Sequence, residues 1–215
     1  MITVDKIEDG LPISVIIPLS HDREYFFYNY VMPLLEANNP NEIIVNKEKG
    51  SAPKKRNNAF KKVTQPYVFF MDDDILLPGN YLEKLYNTLI KKEKEDSNCG
   101  YVYTGYKGIV LHPQSHPMRG NFEIKSGYFN IKQLMKGNYI STMSLLNKKH
   151  FPFFDLNLKR FQDWDLYLNM YINKGIYGQF IPDLKFMAFY LDEGITKNNN
   201  SMVDSYNIIK NKYNL

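Results

Sequence analysis

Three consecutive aspartates, Asp72 to Asp74, directly follow the apolar stretch Tyr67 to Met71. Adjacent carboxylates repel one another, so a fold that places them at the end of a buried strand must offset that cost. Carboxylates two positions apart on an extended chain point the same way, and Asp72 and Asp74 could therefore share one Mg²⁺ or Mn²⁺ ion. Such an ion would cancel the repulsion and bridge the phosphates of a nucleotide. The alternative is that the aspartates face water near the start of a helix expected after Pro78.

The elements that must position these aspartates alternate between strands and helices. Short apolar runs predict strands at Pro12 to Leu19, Glu42 to Val45 and Tyr67 to Met71, and helical spacing predicts helices at Glu24 to Ala37, Ala52 to Val63 and Asn80 to Glu95. Strands and helices in this order, with short connections, predict a parallel sheet with helices on its faces. Ligands bind such sheets beyond the carboxyl ends of the strands, which is where the three aspartates lie.

The second half of the chain has a different pattern. It predicts a strand or strand pair at Tyr101 to Leu111, a short helix at Phe129 to Lys136, strands at Tyr139 to Leu146 and Tyr177 to Ile181, and a helix at Phe161 to Asn173. The last residues, from Asn198 onwards, are polar and then weakly helical. Because no stretch marks a linker, we expect residues 1–215 to form a single domain.

Composition narrows the class of protein. The chain has 215 residues and a net charge of +4, and its basic residues are spread out, which gives no nucleic-acid signature. Cys99 is the only cysteine, so neither an intramolecular disulfide nor a Cys-based zinc site can form. No apolar run approaches 18 residues, so the sequence predicts a soluble, cytoplasmic protein with no transmembrane segment. Aromatic residues make up 15% of the chain and either fill the core or line a groove for a sugar or nucleobase.

Several of these stretches together resemble the family 2 glycosyltransferases of the GT-A fold. The similarity rests on Ser14-Val15-Ile16-Ile17-Pro18, Glu42-Ile43-Ile44-Val45, Lys55-Arg56-Asn57-Asn58-Ala59, Asp72-Asp73-Asp74, and the acidic segment Leu158 to Leu168. It implies a three-layer α/β/α sandwich with a mostly parallel central sheet. A nucleotide-sugar-binding half would span about residues 12–100, an acceptor-binding half about 101–196, and a tail helix 197–215.

The resemblance also implies roles for individual residues on the donor side. Asp74 would be the chief metal ligand, Asp72 would contact the ribose or the metal, and Asp73 would lie against the nucleotide in a less certain role. The residues expected to border the nucleobase are Pro18, Leu19 and Ser20. Arg56 would bind a base carbonyl or a phosphate through its fork of donors, unless it is a surface arginine beside Lys54 and Lys55.

On the acceptor side, the resemblance implies that Asp163 is the catalytic base of an inverting transfer. Asp165, two residues further along the same helix start, is the competing candidate and points elsewhere. The alternative for both is a role in capping and charging the first helical turn. Trp164 either belongs to the core or lies under the acceptor sugar.

The sequence departs from the family in two places. Where the family carries an acidic stretch after the second strand, this chain has Asn46-Lys47-Glu48, so Asn46 would contact the base without a negative charge. The family's acidic pair also becomes Gln162-Asp163. None of the four histidines follows Asp163, which leaves the third metal ligand open, and we expect the Pro- and His-rich segment from Leu111 to Gly120 to close over the donor.

We therefore expect a metal-dependent hexosyltransferase that moves a sugar from a nucleotide-diphosphate sugar, such as a UDP-sugar, to a carbohydrate or glycoconjugate. Contact with a membrane surface is compatible with this, and the oligomeric state is left open. One rival is a non-catalytic sugar- or nucleotide-binding module of the same fold. Another is a D-x-D phosphohydrolase, although its motif normally lies on the first strand. A nucleotidyltransferase would need a glycine-rich loop, which Pro18 to His21 is not.

Overall fold

The computed structural model describes residues 1–111, 120–190 and 199–215, with side chains of the last helix described from Ser201 onwards. Most of the segment expected to close over the donor, including His112 and His116, lies outside the described residues. Within the described ranges, no helix is both long and apolar enough to cross a membrane.

The described strands form one mixed sheet of nine. They are β1 (Ile2–Lys6), β2 (Leu11–Ile17), β3 (Pro40–Asn46), β4 (Tyr67–Phe70), β5 (Ile75–Leu76), β6 (Cys99–Val110), β7 (Phe122–Ile124), β8 (Leu145–Asn147) and β9 (Tyr177–Tyr190). Their spatial order is β1-β3-β2-β4-β8-β6-β9-β5, and β7 pairs with β6. The expected α/β fold is confirmed.

The sheet has two parallel parts, the pair β6 and β9 and the group β3, β2 and β4, and the three aspartates follow the second of these. Ile16 in β2 lies opposite Ile44 in β3 and Phe70 in β4, so all three strands end at the same level. The loops that follow them therefore meet at one edge of the sheet, which we call the carboxyl edge. The segment 71–74 leaves β4 at this edge.

The described residues form six helices, besides a separate 3₁₀ turn at Lys148–His150. They are α1 (21–36), α2 (Ala52–Phe60), α3 (Tyr81–Glu95), α4 (Ile131–Leu134), α5 (Gln162–Lys174) and α6 (Asn199–Tyr213). The first of these begins with a 3₁₀ turn at His21–Arg23 and contains a π-helical turn at Phe27–Val31. In α3 the buried side chains recur at helical spacing, at Leu82, Leu85 and Leu89, which is the pattern that predicted the helix.

Two hydrophobic cores lie on opposite faces of the sheet. Alternate residues of β2 face opposite ways: Val15 and Ile17 belong to one core and Ile16 to the other. The first core also contains Leu35 of α1 and the apolar face of α3, and the second contains residues of α2, α5 and α6. This arrangement gives the three layers that the sequence predicted.

The second half differs from expectation in strand length. The strand predicted at Tyr139 to Leu146 is regular only in β8, because Asn138 and Ser141 side chains accept hydrogen bonds from the backbone of Ile140 and Met143 and compete with strand pairing. The strand predicted at Tyr177 to Ile181 instead continues to Tyr190, paired with β6. The sequence analysis also missed β1, β5 and β7, of which the last two have only two and three residues.

Candidate functional site

Asp73 turns inward and ties two loops of the carboxyl edge together. Its carboxylate accepts a hydrogen bond from the backbone N–H of Ser20 at 2.8 Å and one from Arg23 Nη1 at 2.7 Å. Its side chain is only 5% exposed. Burial raises the pKa of Asp73, and the charge of Arg23 and the Ser20 hydrogen bond partly offset this effect. Asp73 is therefore placed to hold the loop after β2, a role that accounts for the middle carboxylate.

Asp74 lies close to both a cation, Arg23, and another carboxylate, Asp72. It shares Arg23 with Asp73, at 2.6 Å from Nη1 to its Oδ2. Burial, followed by repulsion from Asp72, raises its pKa to about 7, although Arg23 acts in the opposite direction. A nearby cation would stabilise the ionised form of Asp74 and reduce its repulsion with Asp72.

Asp72 is paired with Arg56 rather than with Arg23. Arg56 Nη2 donates to Asp72 Oδ1, and Arg56 Nη1 donates to Gln162 Oε1 over 3.4 Å. The Arg56 side chain is 5% exposed, whereas that of Asp72 is 36% exposed. Arg56 is thus a buried residue that joins the end of β4 to the start of α5.

Asn57, next to Arg56, holds the same part of the chain. Its side-chain Nδ2 donates to the carbonyl of Phe154 at 2.8 Å, and its Oδ1 accepts from the N–H of Phe154 at 2.9 Å. The Arg56 guanidinium also lies over the Phe154 ring, with 5.4 Å between its central carbon, Cζ, and the ring centroid. Two consecutive residues of α2 therefore fix the segment that leads to α5.

Asp163 lies in the first turn of α5. Its Oδ1 accepts a hydrogen bond from the N–H of Trp164 at 2.9 Å, and its side chain is half-buried. Burial raises the pKa of Asp163 to about 6, Arg56 lowers it and the charge of Asp72 raises it. Asp163 therefore interacts electrostatically with both residues of the Arg56–Asp72 pair.

Asp165 points away from this site. It is 2% exposed, and it accepts hydrogen bonds from Lys212 Nζ at 2.7 Å and from the Tyr213 hydroxyl at 2.8 Å. Trp164 is buried, and its indole N–H donates to the carbonyl of Leu134 at 2.6 Å, which places it in the core. The two aspartates of this turn therefore have different surroundings: Asp165 is bound by Lys212 and Tyr213, whereas the charges of Arg56 and Asp72 act on Asp163.

The residues expected at the nucleobase are occupied by contacts within the protein. Leu19 is buried, and its carbonyl accepts from Lys55 Nζ at 2.7 Å. Asn46 is also buried: its Nδ2 donates to the carbonyl of Lys55 at 2.9 Å, and its Oδ1 accepts from the N–H of Glu48 at 2.8 Å. Pro18, at the same edge, is buried as well. Ser20 is half-buried, and its N–H donates a hydrogen bond to Asp73.

Sequence reasoning missed Arg23 and the burial of Lys55. Both were visible as cations in or beside loops of the carboxyl edge, and three adjacent carboxylates require nearby cations. From the sequence we predict a metal ion as the cation that offsets the repulsion between the three aspartates. The structure also provides Arg23 for Asp73 and Asp74, and Arg56 for Asp72.

The residues at this site fit a divalent cation that the protein shares with a ligand. Among the described residues no group of three or more His, Cys, Asp and Glu side chains could hold a metal ion. Asp72 and Asp74 supply hard carboxylate oxygens, and Mg²⁺ in proteins commonly takes one or two carboxylates and completes its shell with phosphate and water. The raised pKa of Asp74 is the observation that favours a cation here.

Known proteins provide an independent comparison. Three crystal structures of S. aureus TarS 1-349 are similar to the chain: alone (TM-score 0.60, 13% identity), in complex with UDP (0.64, 15%) and in complex with UDP-GlcNAc (0.67, 15%). The alignments cover 92–94% of this chain and 64–65% of the TarS chains, so this chain spans just under two thirds of their length. At these identities the likeness shows a common GT-A fold.

No curated protein sequence matches the chain. The family model described as Glycosyl transferase family 2 matches residues 31–152, which is more than half of the chain and includes β3, β4 and the three aspartates. The chain therefore belongs to glycosyl transferase family 2.

Proposed function

We propose that the protein is an inverting glycosyltransferase that transfers a hexose from a nucleotide-diphosphate sugar to a hydroxyl group of a carbohydrate or glycoconjugate. The observation that carries this proposal is the position of Arg56 between Asp72 and Gln162. One buried guanidinium links the carboxylates suited to a nucleotide's metal with the helix start that carries Asp163. Donor and acceptor chemistry are thereby joined in one site.

Asp163 is the proposed general base. It takes the proton of the acceptor hydroxyl while that oxygen attacks the anomeric carbon, the bond from this carbon to the diphosphate breaks, and the nucleoside diphosphate leaves on the opposite face of the sugar. With a pKa of about 6, Asp163 is mostly ionised at neutral pH, and it is a stronger base than an ordinary aspartate. The orientation of α5 keeps this carboxylate near the Arg56–Asp72 pair.

Asp72 and Asp74 are the proposed ligands of Mg²⁺ or Mn²⁺. When bound, the ion would stabilise the negative charge of the leaving diphosphate. Arg23 and Arg56 neutralise the carboxylates before the donor binds, so the protein keeps the acidic cluster folded without the ion. Asp73 remains hydrogen-bonded to Ser20 and Arg23 and holds the loop that contains Pro18 and Leu19 in place.

A UDP-sugar is the proposed donor, because the similar TarS structures include complexes with UDP and UDP-GlcNAc. Both amide atoms of the buried Asn46 are bonded within the protein, so Asn46 would support the base-binding loop through Lys55 and Glu48 instead of contacting the base. We also propose a cytoplasmic location, since the one cysteine, Cys99, is buried and free, as expected in a reducing compartment.

Thermal-shift screening of nucleotide-sugars with and without Mn²⁺ tests the donor side. A UDP-sugar should raise the melting temperature more with Mn²⁺ than with EDTA, and Asp74→Asn should abolish the difference. Asp163→Asn should keep the metal-dependent shift and reduce sugar transfer to a small residual rate. If no nucleotide-sugar gives a metal-dependent shift, the donor assignment is wrong; if Asp163→Asn transfers at the wild-type rate, the base assignment is wrong.

A non-catalytic binding module of the same fold is the second candidate. Gln162 and Asn46, which replace acidic residues of the family pattern, are the observations that favour it. Such a module would bind a nucleotide-sugar without releasing nucleoside diphosphate in the presence of any acceptor.

A further inference from the structure

The last helix, α6, is attached by ion pairs to the segment that carries Asp163. Lys212 Nζ lies 3.0 Å from Asp155 Oδ2 and 2.7 Å from Asp165 Oδ1. These two carboxylates stand on either side of Gln162 and Asp163 in the sequence. The ammonium group of Lys212 therefore binds one carboxylate on each side of the proposed base.

Other contacts from α6 reinforce this attachment. The Tyr213 hydroxyl donates to the Asp165 carboxylate at 2.8 Å, and the Ser205 hydroxyl accepts from the N–H of Arg160 at 3.1 Å. The Tyr206 ring lies 5.5 Å from the ring of Trp164. Residues 160, 164 and 165, which surround Asp163, are thus each in contact with α6.

Two phenylalanines in or beside the segment that α6 contacts have an unfavourable backbone conformation. Phe161, directly before Gln162, has a φ of 57°, and Phe153 has a φ of 65°. Bulky residues rarely adopt the left-handed region, and such strain persists only where the surrounding structure enforces it. On both sides of Phe161, at Arg160 and Asp165, the chain is bonded to side chains of α6, in addition to the contacts of Phe161 with Trp164 and of Gln162 with Leu158 and Lys159.

Lys212 is the charge on which this arrangement depends. Asp165 is almost completely buried, and a buried carboxylate without a cation is strongly unfavourable. Without Lys212, Asp155 and Asp165 would repel each other and relax towards water, and the first turn of α5 would move with them.

We propose that α6 is a positioning element for catalysis, in which Lys212 and Tyr213 fix the first turn of α5 so that Asp163 faces the Arg56–Asp72 pair. This inference rests on the proposed role of Asp163 as the base. Lys212 touches neither donor nor acceptor in this scheme and acts only through the position of Asp163.

The test compares Lys212→Met with Lys210→Met in the full chain, using the UDP-sugar and acceptor identified by screening. Both variants remove one charge from α6, but Lys210 contacts the Tyr206 ring instead of the two carboxylates. Lys212→Met should lower kcat by about 10- to 100-fold, because a displacement of about 1 Å can cost that much. Its KM for the donor and its metal-dependent thermal shift should stay within about twofold of wild type. Lys210→Met should behave as wild type, and Lys212→Arg should recover most of the lost rate.

A double variant separates positioning from general loss of structure. If Lys212 acts through Asp163, adding Lys212→Met to Asp163→Asn should not slow the residual transfer further. A full additional loss would overturn the proposal. Tyr213→Phe, which removes one hydroxyl, provides a milder variant should Lys212→Met fail to fold, and it should lower kcat about three- to tenfold with an unchanged KM for the donor.

The role of Asp163 as the base and the positioning role of α6 can be refuted separately. Wild-type transfer by Asp163→Asn would overturn the proposed base, and with it the present inference. An inactive Asp163→Asn together with wild-type kcat in both Lys212→Met and Tyr213→Phe would overturn only the positioning role of α6.

Discussion

Arg56 in α2 donates a hydrogen bond over 3.4 Å to Gln162, which lies 106 positions later at the start of α5. The same guanidinium is paired with Asp72 at the end of β4. Gln162 stands where the family pattern has an acidic residue, and a neutral amide can accept from Arg56 without competing with Asp72 for its charge. This departure from the family pattern is thus a contact that joins Arg56, and through it Asp72, to the start of α5.

Replacing Arg56 should damage both halves of the site. Arg56→Met leaves Asp72 beside Asp74 without its cation and frees Gln162, so we expect donor KM to rise and kcat to fall about 100-fold. Lys54→Met is the matched control, because Lys54 is an exposed neighbour on the same helix. Steady-state kinetics of the two variants check the prediction, and a wild-type kcat/KM in Arg56→Met would contradict it.

Asp73 should prove to be a structural anchor rather than a metal ligand. Asp73→Ala removes the acceptor of Ser20 N–H and one partner of Arg23, and we expect a loss of about 2–3 kcal/mol in the free energy of unfolding. The exposed neighbour Asp22 serves as the control, and Asp22→Ala should change stability by less than about 0.5 kcal/mol. Urea unfolding measures both, and equal stability of the two variants would refute the anchoring role.

The pH dependence of transfer should show Asp163 as the base. Since burial raises its pKa to about 6, kcat at saturating donor and Mn²⁺, where a bound ion would keep Asp74 ionised, should fall about tenfold per pH unit as the pH drops below 6, and this group should contribute no decline on the alkaline side. A profile measured from pH 4.5 to 8.5 checks this. An acidic limb near pH 4, the range of an ordinary aspartate, would show that a different carboxylate or environment governs the reaction.

Much of the donor half could be predicted from sequence, because it depends on local patterns. The runs before Pro18 and Asp72 are apolar, short and followed by polar turns, and these features predict buried parallel strands and the edge at which their loops meet. The acceptor half depends on long-range pairing instead. β8 has three residues and gains its place only by lying between β4 and β6, which no window of sequence can indicate.

The ionic partners of the site were equally beyond local pattern. Arg23 and Lys55 looked like parts of a polar turn and a solvated basic cluster, and their partners lie up to 51 positions away. Likewise, Asp163 and Asp165 have the same residue type and nearly the same position, but their surroundings differ: Lys212 binds Asp165, whereas the charges of Arg56 and Asp72 act on Asp163. Residue type could not distinguish the two aspartates, because tertiary contacts set these surroundings.

Two glycines should respond differently to alanine. A Cβ at Gly178 in β9 would lie 2.1 Å from the ring of Tyr101, a large side chain that is itself fully buried, whereas a Cβ at Gly79 would meet nothing within 4 Å. We expect Gly178→Ala to cost about 1–3 kcal/mol of unfolding free energy and Gly79→Ala to be within about 0.5 kcal/mol of wild type. Thermal and urea unfolding measure both, and an equally small effect of Gly178→Ala would mean that β6 and β9 are not packed as described.

The proposed base should cost the protein stability at neutral pH. Because the fold raises the pKa of Asp163 from 3.8 to about 6, the native state holds the proton more tightly than the unfolded chain, and this advantage is lost as the pH rises through that window. Asp163→Asn should therefore be more stable than wild type at pH 8, by about 1–2 kcal/mol after allowing for the exposed part of the side chain, and should show no such gain below about pH 4. Unfolding measured at both pH values, with the exposed Asp22→Asn as control, checks this. An inactive variant whose extra stability develops between about pH 4 and 6 and is complete above pH 6 is the result expected of a carboxylate kept half-buried for its reaction, since selection for activity retains such groups against their cost. A pH-independent change in stability would instead assign the effect to packing.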